Sequence, residues 1–135
     1  VEKIIWEYKL VLDRLGYQTE IKYCDDVQKS DNQVVHVHMA NLANILSQRG
    51  IDYVFSLHDH HVEYFGKDSE CYKENFNAIK NSKLTFVHSK HLIEYFDNLP
   101  QIVYLPHGAN QFDYQFSPRK KSLKPKLLMM AKHTK

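Results

Sequence analysis

The sequence predicts an α/β fold in which a doubly wound parallel sheet is covered by helices on both faces. Short apolar segments typical of strands alternate with segments of helical periodicity, and the connections between them are short. The middle strand segments are continuous apolar runs without alternation. Such runs are typical of parallel strands that are buried on both sides.

Composition agrees with one ordinary globular domain. The chain has 135 residues, of which 43% are hydrophobic and 25% charged, and its net charge is +2. This length supports one packed core, and the charge is too small to favour a nucleic-acid partner. Cys24 and Cys71 lack CxxC spacing, so we expect free thiols in a reducing compartment. No apolar run approaches the ~20 residues of a membrane span, and we expect a cytoplasmic protein.

The predicted elements follow one another in a regular order. Residues 2–15 carry apolar side chains at three- and four-residue spacing and precede Gly16, which predicts a helix with a glycine C-cap. Residues 17–23 alternate and predict a strand, and residues 25–32 form a polar loop. The remaining predicted strands are 34–37, 53–57, 84–87 and 102–105, and the predicted helices are 42–49, 70–81 and 91–96.

The last 30 residues predict a domain boundary. Residues 106–124 lack periodicity and contain prolines, glycine and a basic cluster, which is typical of a linker. Residues 127–130 predict a further strand. We therefore expect an interdomain linker over 106–124 that is followed by this strand. The basic run at 119–121 is either a solvated linker or a peripheral contact with acidic lipid.

Histidines follow four of the predicted strands. His38, His58 and His88 each come directly after a strand, and His107 follows the next strand by one proline. Ligands of open parallel sheets bind outside the carboxyl ends of the strands. The sequence therefore predicts a ligand-binding or active-site edge, which Asp59, His60 and His61 extend.

A zinc-dependent hydrolase is one alternative for this edge, with ligands from His36, His38, His58 and His60. Against it, the valines at 35 and 37 suggest a strand buried on both sides, which would direct His36 into packing. A non-catalytic α/β binding domain is a second alternative. The chain has neither a Gly-rich phosphate loop nor a Gly-x-Ser-x-Gly nucleophile motif, and we identify no convincing nucleophile.

Six segments resemble family 4-type (group 1) glycosyltransferases, whose fold is called GT-B. Residues 105–110 (L-P-H-G-A-N), with Phe112 close behind, are similar to the family's "P-N-G-V-D-x-x-x-F" element, with histidine where asparagine is common. The other similar segments, in chain order, are 1–17, 33–38 (Q-V-V-H-V-H), 55–59 (F-S-L-H-D), 86–90 (F-V-H-S-K) and 124–128 (K-P-K-L-L). The resemblance covers nearly the whole chain.

This resemblance implies two Rossmann-like domains that face each other across a cleft. Residues 1–105 would form an incomplete N-terminal domain whose first strand is missing, 106–124 the interdomain linker, and 125–135 the first strand of the C-terminal domain. The N-terminal domain would bind the acceptor, which is a glycan, a lipid or a small molecule. The C-terminal domain, in cis, would bind a nucleotide sugar such as a UDP- or GDP-sugar. The implied enzyme is a hexosyltransferase that uses no cofactor and no catalytic metal. A fragment without the donor-binding half is expected to be inactive or nearly so.

The resemblance also assigns site residues. His58 is implied to contact the transferred sugar, and an imidazole there would bond a sugar hydroxyl or stabilise charge that develops near the donor. The implied acceptor side is lined by His38, Asp59 and Ser89. His107 and Gly108 are implied to lie at the hinge, where glycine would permit a sharp backbone path. Residues 63–70 imitate the family's paired-glutamate motif, but their position in the chain is wrong for it.

Overall fold

The computed structural model describes residues 2–58, 61–106 and 108. Within them the chain forms five α-helices and four strands, besides a 3-10 turn at Cys24–Asp26. The elements are α1 (Glu2–Arg14), β1 (His36–Val37), α2 (Ala40–Gln48), β2 (Val54–Leu57), α3 (His61–Phe65), α4 (Glu70–Asn81), β3 (Leu84–Val87), α5 (His91–Tyr95) and β4 (Ile102–Tyr104).

The four strands form one parallel sheet in the order β1-β2-β3-β4. The predicted α/β fold with a parallel sheet is therefore confirmed. Each strand lies beside the next one in the chain, so the sheet grows in one direction. Because crossovers between parallel strands are right-handed, the helices that connect the strands then lie on one face of the sheet. Accordingly, α2 and α4 pack against each other and both contact β2, while α5 contacts β4.

The core lies between the sheet and these helices. The side chains that β2 and β3 direct toward it are fully or almost fully buried: Phe55, Leu57, Thr85 and Val87. The opposite face is less covered, because β3 alternates and Leu84 and Phe86 are only half-buried there. The prediction that the middle strands are buried on both sides is therefore wrong for β3. Helix α1 approaches this second face through Tyr8, whose ring contacts His36.

The strand predicted at residues 17–23 is wrong. That segment is irregular, and the side chains of Tyr17, Ile21 and Tyr23 are exposed. Its backbone bonds to α1, since Tyr17 N donates to the carbonyl of Leu12 at 3.0 Å. Lys9 Nζ also donates to the Thr19 carbonyl, at 3.2 Å. An alternating pattern forms a strand only where a neighbouring strand completes its hydrogen bonds, and no strand of the described sheet pairs with this segment.

Helix α3 was not predicted. Val62 in α3 is completely buried, and Tyr95 Oη in α5 donates to the Val62 carbonyl at 3.0 Å. Cys24 and Cys71 are not joined by a disulfide bond. No helix in the described part of the chain is long and apolar enough to cross a membrane. Apart from Pro106 and Gly108, the predicted linker over 106–124 and the strand at 127–130 lie outside the described residues.

Candidate functional site

Three histidine rings stack along the carboxyl edge of the sheet. His38, His58 and His88 directly follow β1, β2 and β3. Their ring centroids are 5.1 Å apart between His38 and His58, with 13° between the planes, and 4.7 Å apart between His58 and His88, with 19°. The structure thus brings these three residues together at one edge. We call His38, His58 and His88 the imidazole row.

The register of the strands explains the row. In a parallel sheet, residues two apart share a face, and neighbours in register lie side by side. Ser56 is in register with Phe86, so the residues two positions later, His58 and His88, are neighbours too. His36, two residues before His38, lies behind the row, where its Nε2 is 2.8 Å from Ser56 Oγ. Its ring centroid is 4.2 Å from that of His38.

Hydrogen bonds connect and orient the row. His38 Nδ1 lies 2.8 Å from His58 Nε2, so one ring donates and the other accepts. His88 Nδ1 lies 2.7 Å from the carbonyl oxygen of Leu105. Because a carbonyl only accepts, His88 Nδ1 carries the proton of this bond. Each of the three rings is thereby held by a hydrogen bond to a neighbouring chain segment.

Helix α1 covers one end of the row. The Tyr8 ring centroid is 5.3 Å from that of His36 and 5.5 Å from that of His38. His38 is only 8% exposed as a result, whereas His58 and His88 are half-buried. His58, in the middle, is half-buried and is held on each side by another ring.

His38, at the covered end of the row, and His36, behind it, are both uncharged at neutral pH. Burial, with a smaller effect of His88, lowers the pKa of His36 to about 4. Burial, followed by the neighbouring imidazoles at 36, 58 and 88, lowers the pKa of His38 to about 3. At pH 7 such groups are protonated in no more than about one molecule in a thousand. They act there as neutral hydrogen-bonding groups.

Comparison of the chain with family models, with curated proteins and with solved structures finds no match. The glycosyltransferase resemblance stays a prediction based on motifs.

Of the remaining predicted site residues, the structure describes Ser89 and Gly108, and neither joins the row. Ser89 follows His88, but its hydroxyl bonds elsewhere, to His91. Gly108 is exposed, its φ lies outside the left-handed region, and a Cβ there would meet no atom within 4 Å. Because residue 107 and the residues after 108 lie outside the described part of the chain, the hinge expected at this position stays a prediction. Asp59 and His107 lie outside the described residues.

The geometry of a zinc site is not found among the described residues, where no group of three or more His, Cys, Asp or Glu side chains is placed to hold a metal ion. Two nitrogen atoms of the predicted zinc ligands already make hydrogen bonds within the protein. His36 Nε2 bonds to Ser56 Oγ, and His38 Nδ1 bonds to His58 Nε2. His60, from the same set, lies outside the described residues.

Sequence reasoning missed a second arrangement beside the row. Ser89 Oγ lies 2.6 Å from His91 Nδ1, and His91 Nε2 lies 2.7 Å from Glu63 Oε2. We call Ser89, His91 and Glu63 the serine relay. No motif reveals it, because Glu63 lies 28 residues before His91, on the helix α3 that the sequence pattern did not predict.

Proposed function

We propose that this chain is the acceptor-side domain of a glycosyltransferase and that His58 contacts the sugar being transferred. The observation that carries the proposal is the imidazole row at the carboxyl edge of a parallel sheet. Connecting loops and helix N-termini collect at that edge, so ligands of such folds bind there. The motif resemblance supplies the substrate class, a UDP- or GDP-sugar together with a hydroxyl acceptor on a glycan, lipid or small molecule.

Neutral imidazoles suit a sugar ligand. A sugar hydroxyl both donates and accepts, and a neutral imidazole offers one donor and one acceptor nitrogen. Protonated rings would offer only donors and would repel one another. The low pKa values of His36 and His38 remove that charge from the back of the row. His58 then exchanges its bond to His38 for one to the ligand without uncovering a buried charge.

In the proposed reaction, the acceptor oxygen forms a bond to the anomeric carbon of the donor sugar. The bond from that carbon to the phosphate breaks, a nucleoside diphosphate leaves, and the acceptor proton is lost to a base or solvent. His58 would stabilise charge near the transferred sugar, and the rings of His38 and His88, which stack on either side of it, would hold its ring in place. Catalysis would depend on positioning and electrostatics within a cleft completed by the donor-binding domain.

The test uses the protein expressed from its complete gene. Purified protein is incubated with a panel of UDP- and GDP-sugars and hydroxyl acceptors, and release of nucleoside diphosphate is measured. We expect turnover with one donor class, and we expect His58→Ala to lower kcat by about 10²-fold. The matched control is Asn44→Ala, which removes one hydrogen bond, from Asn44 Nδ2 to the Glu74 carbonyl, on the helices away from the row.

Turnover in Asn44→Ala should equal that of the wild type. The proposal is contradicted if no nucleotide sugar is consumed, or if His58→Ala turns over like the control. Binding of sugars without any release of nucleoside diphosphate would instead identify the non-catalytic binding domain.

A further inference from the structure

The serine relay has the connectivity of a nucleophile, a base and an orienting carboxylate. We propose that Ser89 is a nucleophile that forms an acyl-enzyme with small esters, with His91 as its base and Glu63 as the group that orients His91. This activity is separate from glycosyl transfer and does not rest on it.

The two hydrogen bonds of His91 fix its tautomer. An ionised carboxylate only accepts hydrogen bonds, so His91 Nε2 must donate to Glu63 Oε2 across the 2.7 Å contact. In the neutral ring, Nδ1 then has its lone pair available and accepts from Ser89 Oγ at 2.6 Å. This is the protonation state that a general base for a serine hydroxyl requires.

The hydroxyl of Ser89 is not needed to cap helix α5. The N-cap residue of that helix is Lys90, which makes no side-chain capping bond. The backbone of Ser89 contributes instead, because its carbonyl accepts from Leu92 N at 3.3 Å. A serine in a strand-to-helix turn at the carboxyl edge, with its hydroxyl directed at an imidazole, resembles the placement of serine nucleophiles in other α/β enzymes.

Packing between α3 and α5 holds the relay together. The buried Val62 precedes Glu63, and its carbonyl accepts from Tyr95 Oη of α5. Lys67, just after α3, pairs with Asp97, just after α5, at 2.8 Å. These contacts on either side of Glu63 keep α3 against the helix that carries His91.

The relay is open to substrate. The side chain of His91 is 54% exposed and that of Glu63 is 33% exposed. Small acyl esters therefore reach Ser89 without a conformational change. Because water surrounds the relay, its electrostatic contribution is weaker than in a closed site, and we expect slow turnover.

The proposed step is acyl transfer followed by hydrolysis. Ser89 Oγ attacks the ester carbonyl carbon while its proton passes to His91 Nδ1. The tetrahedral intermediate collapses, the bond to the leaving alkoxide breaks, and that oxygen takes the proton from His91. Water then attacks the acyl-serine, gives a proton to His91, and releases the carboxylic acid as Ser89 recovers its proton.

A fluorophosphonate probe tests the nucleophile directly. We expect the folded 135-residue chain to be labelled once, at Ser89, as identified by mass spectrometry of its peptides. Ser89→Ala should abolish labelling, and His91→Gln and Glu63→Gln should slow it, the former by about 10²-fold, since general-base catalysis contributes about 10²–10⁴-fold. Ser30→Ala, a serine in the exposed loop before β1, is the matched control and should be labelled at the wild-type rate.

Thermal unfolding of each variant verifies that the fold is retained. If His91→Gln does not fold, Glu63→Gln tests the relay in its place. Release of p-nitrophenol from p-nitrophenyl acetate gives a second readout, with a burst of one product per chain expected before slow turnover. The proposal is overturned if the probe does not label Ser89, if it labels Ser89 equally in heat-denatured protein, or if folded relay variants react at the wild-type rate.

Discussion

Acidification should destabilise this protein through the histidines behind and within the imidazole row. The ordinary histidine pKa of 6.5 falls to about 4 at His36 and about 3 at His38. The unfolded state, with ordinary values, therefore binds more protons than the folded state between about pH 3 and pH 6.5. Stability is fully present above this window and is lost as the pH falls through it.

The size of the loss follows from the pKa difference. At about pH 5, each of these histidines is protonated in the unfolded state but neutral in the folded state. This difference lowers the free energy of unfolding by about 2 kcal/mol per residue. The sum for His36 and His38 is about 4 kcal/mol, and water that reaches the half-buried His36 lowers it. We expect a loss of about 2 to 4 kcal/mol between about pH 7.5 and pH 5, a large share of a typical free energy of unfolding.

Urea denaturation followed by circular dichroism measures this quantity at each pH. His38→Asn should remove roughly half of the pH-dependent loss, because it deletes one of the two titrating groups. The matched control is Asn44→Ala, which removes the hydrogen bond from Asn44 Nδ2 to the Glu74 carbonyl but deletes no titrating group, and it should keep the full loss. A free energy of unfolding that stays constant over this pH range, or a loss of equal size in His38→Asn, would refute the reasoning.

Three further predictions concern stability, each measured as the change in free energy of unfolding in urea. Tyr53→Phe removes the 2.8 Å bond from the buried Tyr53 hydroxyl to the Ala78 carbonyl and should cost about 1 kcal/mol; no loss would contradict the importance of that bond. Ser69 is the N-cap of α4, and its Oγ accepts a hydrogen bond from Tyr72 N at 3.1 Å. Ser69→Ala should therefore lower the free energy of unfolding by about 1 kcal/mol, and an unchanged value would mean that the cap is dispensable. Phe96→Ala empties a completely buried site stacked on Tyr72 at 5.3 Å and should cost about 3–5 kcal/mol; a loss below 1 kcal/mol would place Phe96 outside the core.

The elements that the sequence predicted well are those with local signals. Helix α4 was predicted at residues 70–81, where Ser69 provides an N-cap and apolar residues recur with helical spacing, and its bounds agree with the structure. Strand β3 also agrees, because it is a short apolar run between polar residues. The imidazole row was predictable for a geometric reason, since neighbouring parallel strands end at one edge.

What the sequence failed to predict depends on contacts between distant segments. Residues 17–23 alternate like a strand, but no strand of the described sheet lies beside them, and no pattern within the segment indicates that. The serine relay depends on α3, a single short helix that the pattern did not predict. The sequence placed Ser89 on the implied acceptor side and Glu63 in a segment that imitates a glutamate motif. Neither residue could be assigned to the relay without knowledge of the fold.

Nuclear magnetic resonance of the histidine side chains tests the central claim most directly. In the stacked row, ring protons of His58 are close to those of both His38 and His88, given centroid distances of 5.1 and 4.7 Å. Nuclear Overhauser effects should therefore link His58 to His38 and to His88 at neutral pH. Their absence in folded protein would show that the three rings do not share one edge, and the proposed sugar-binding site would lose its structural basis.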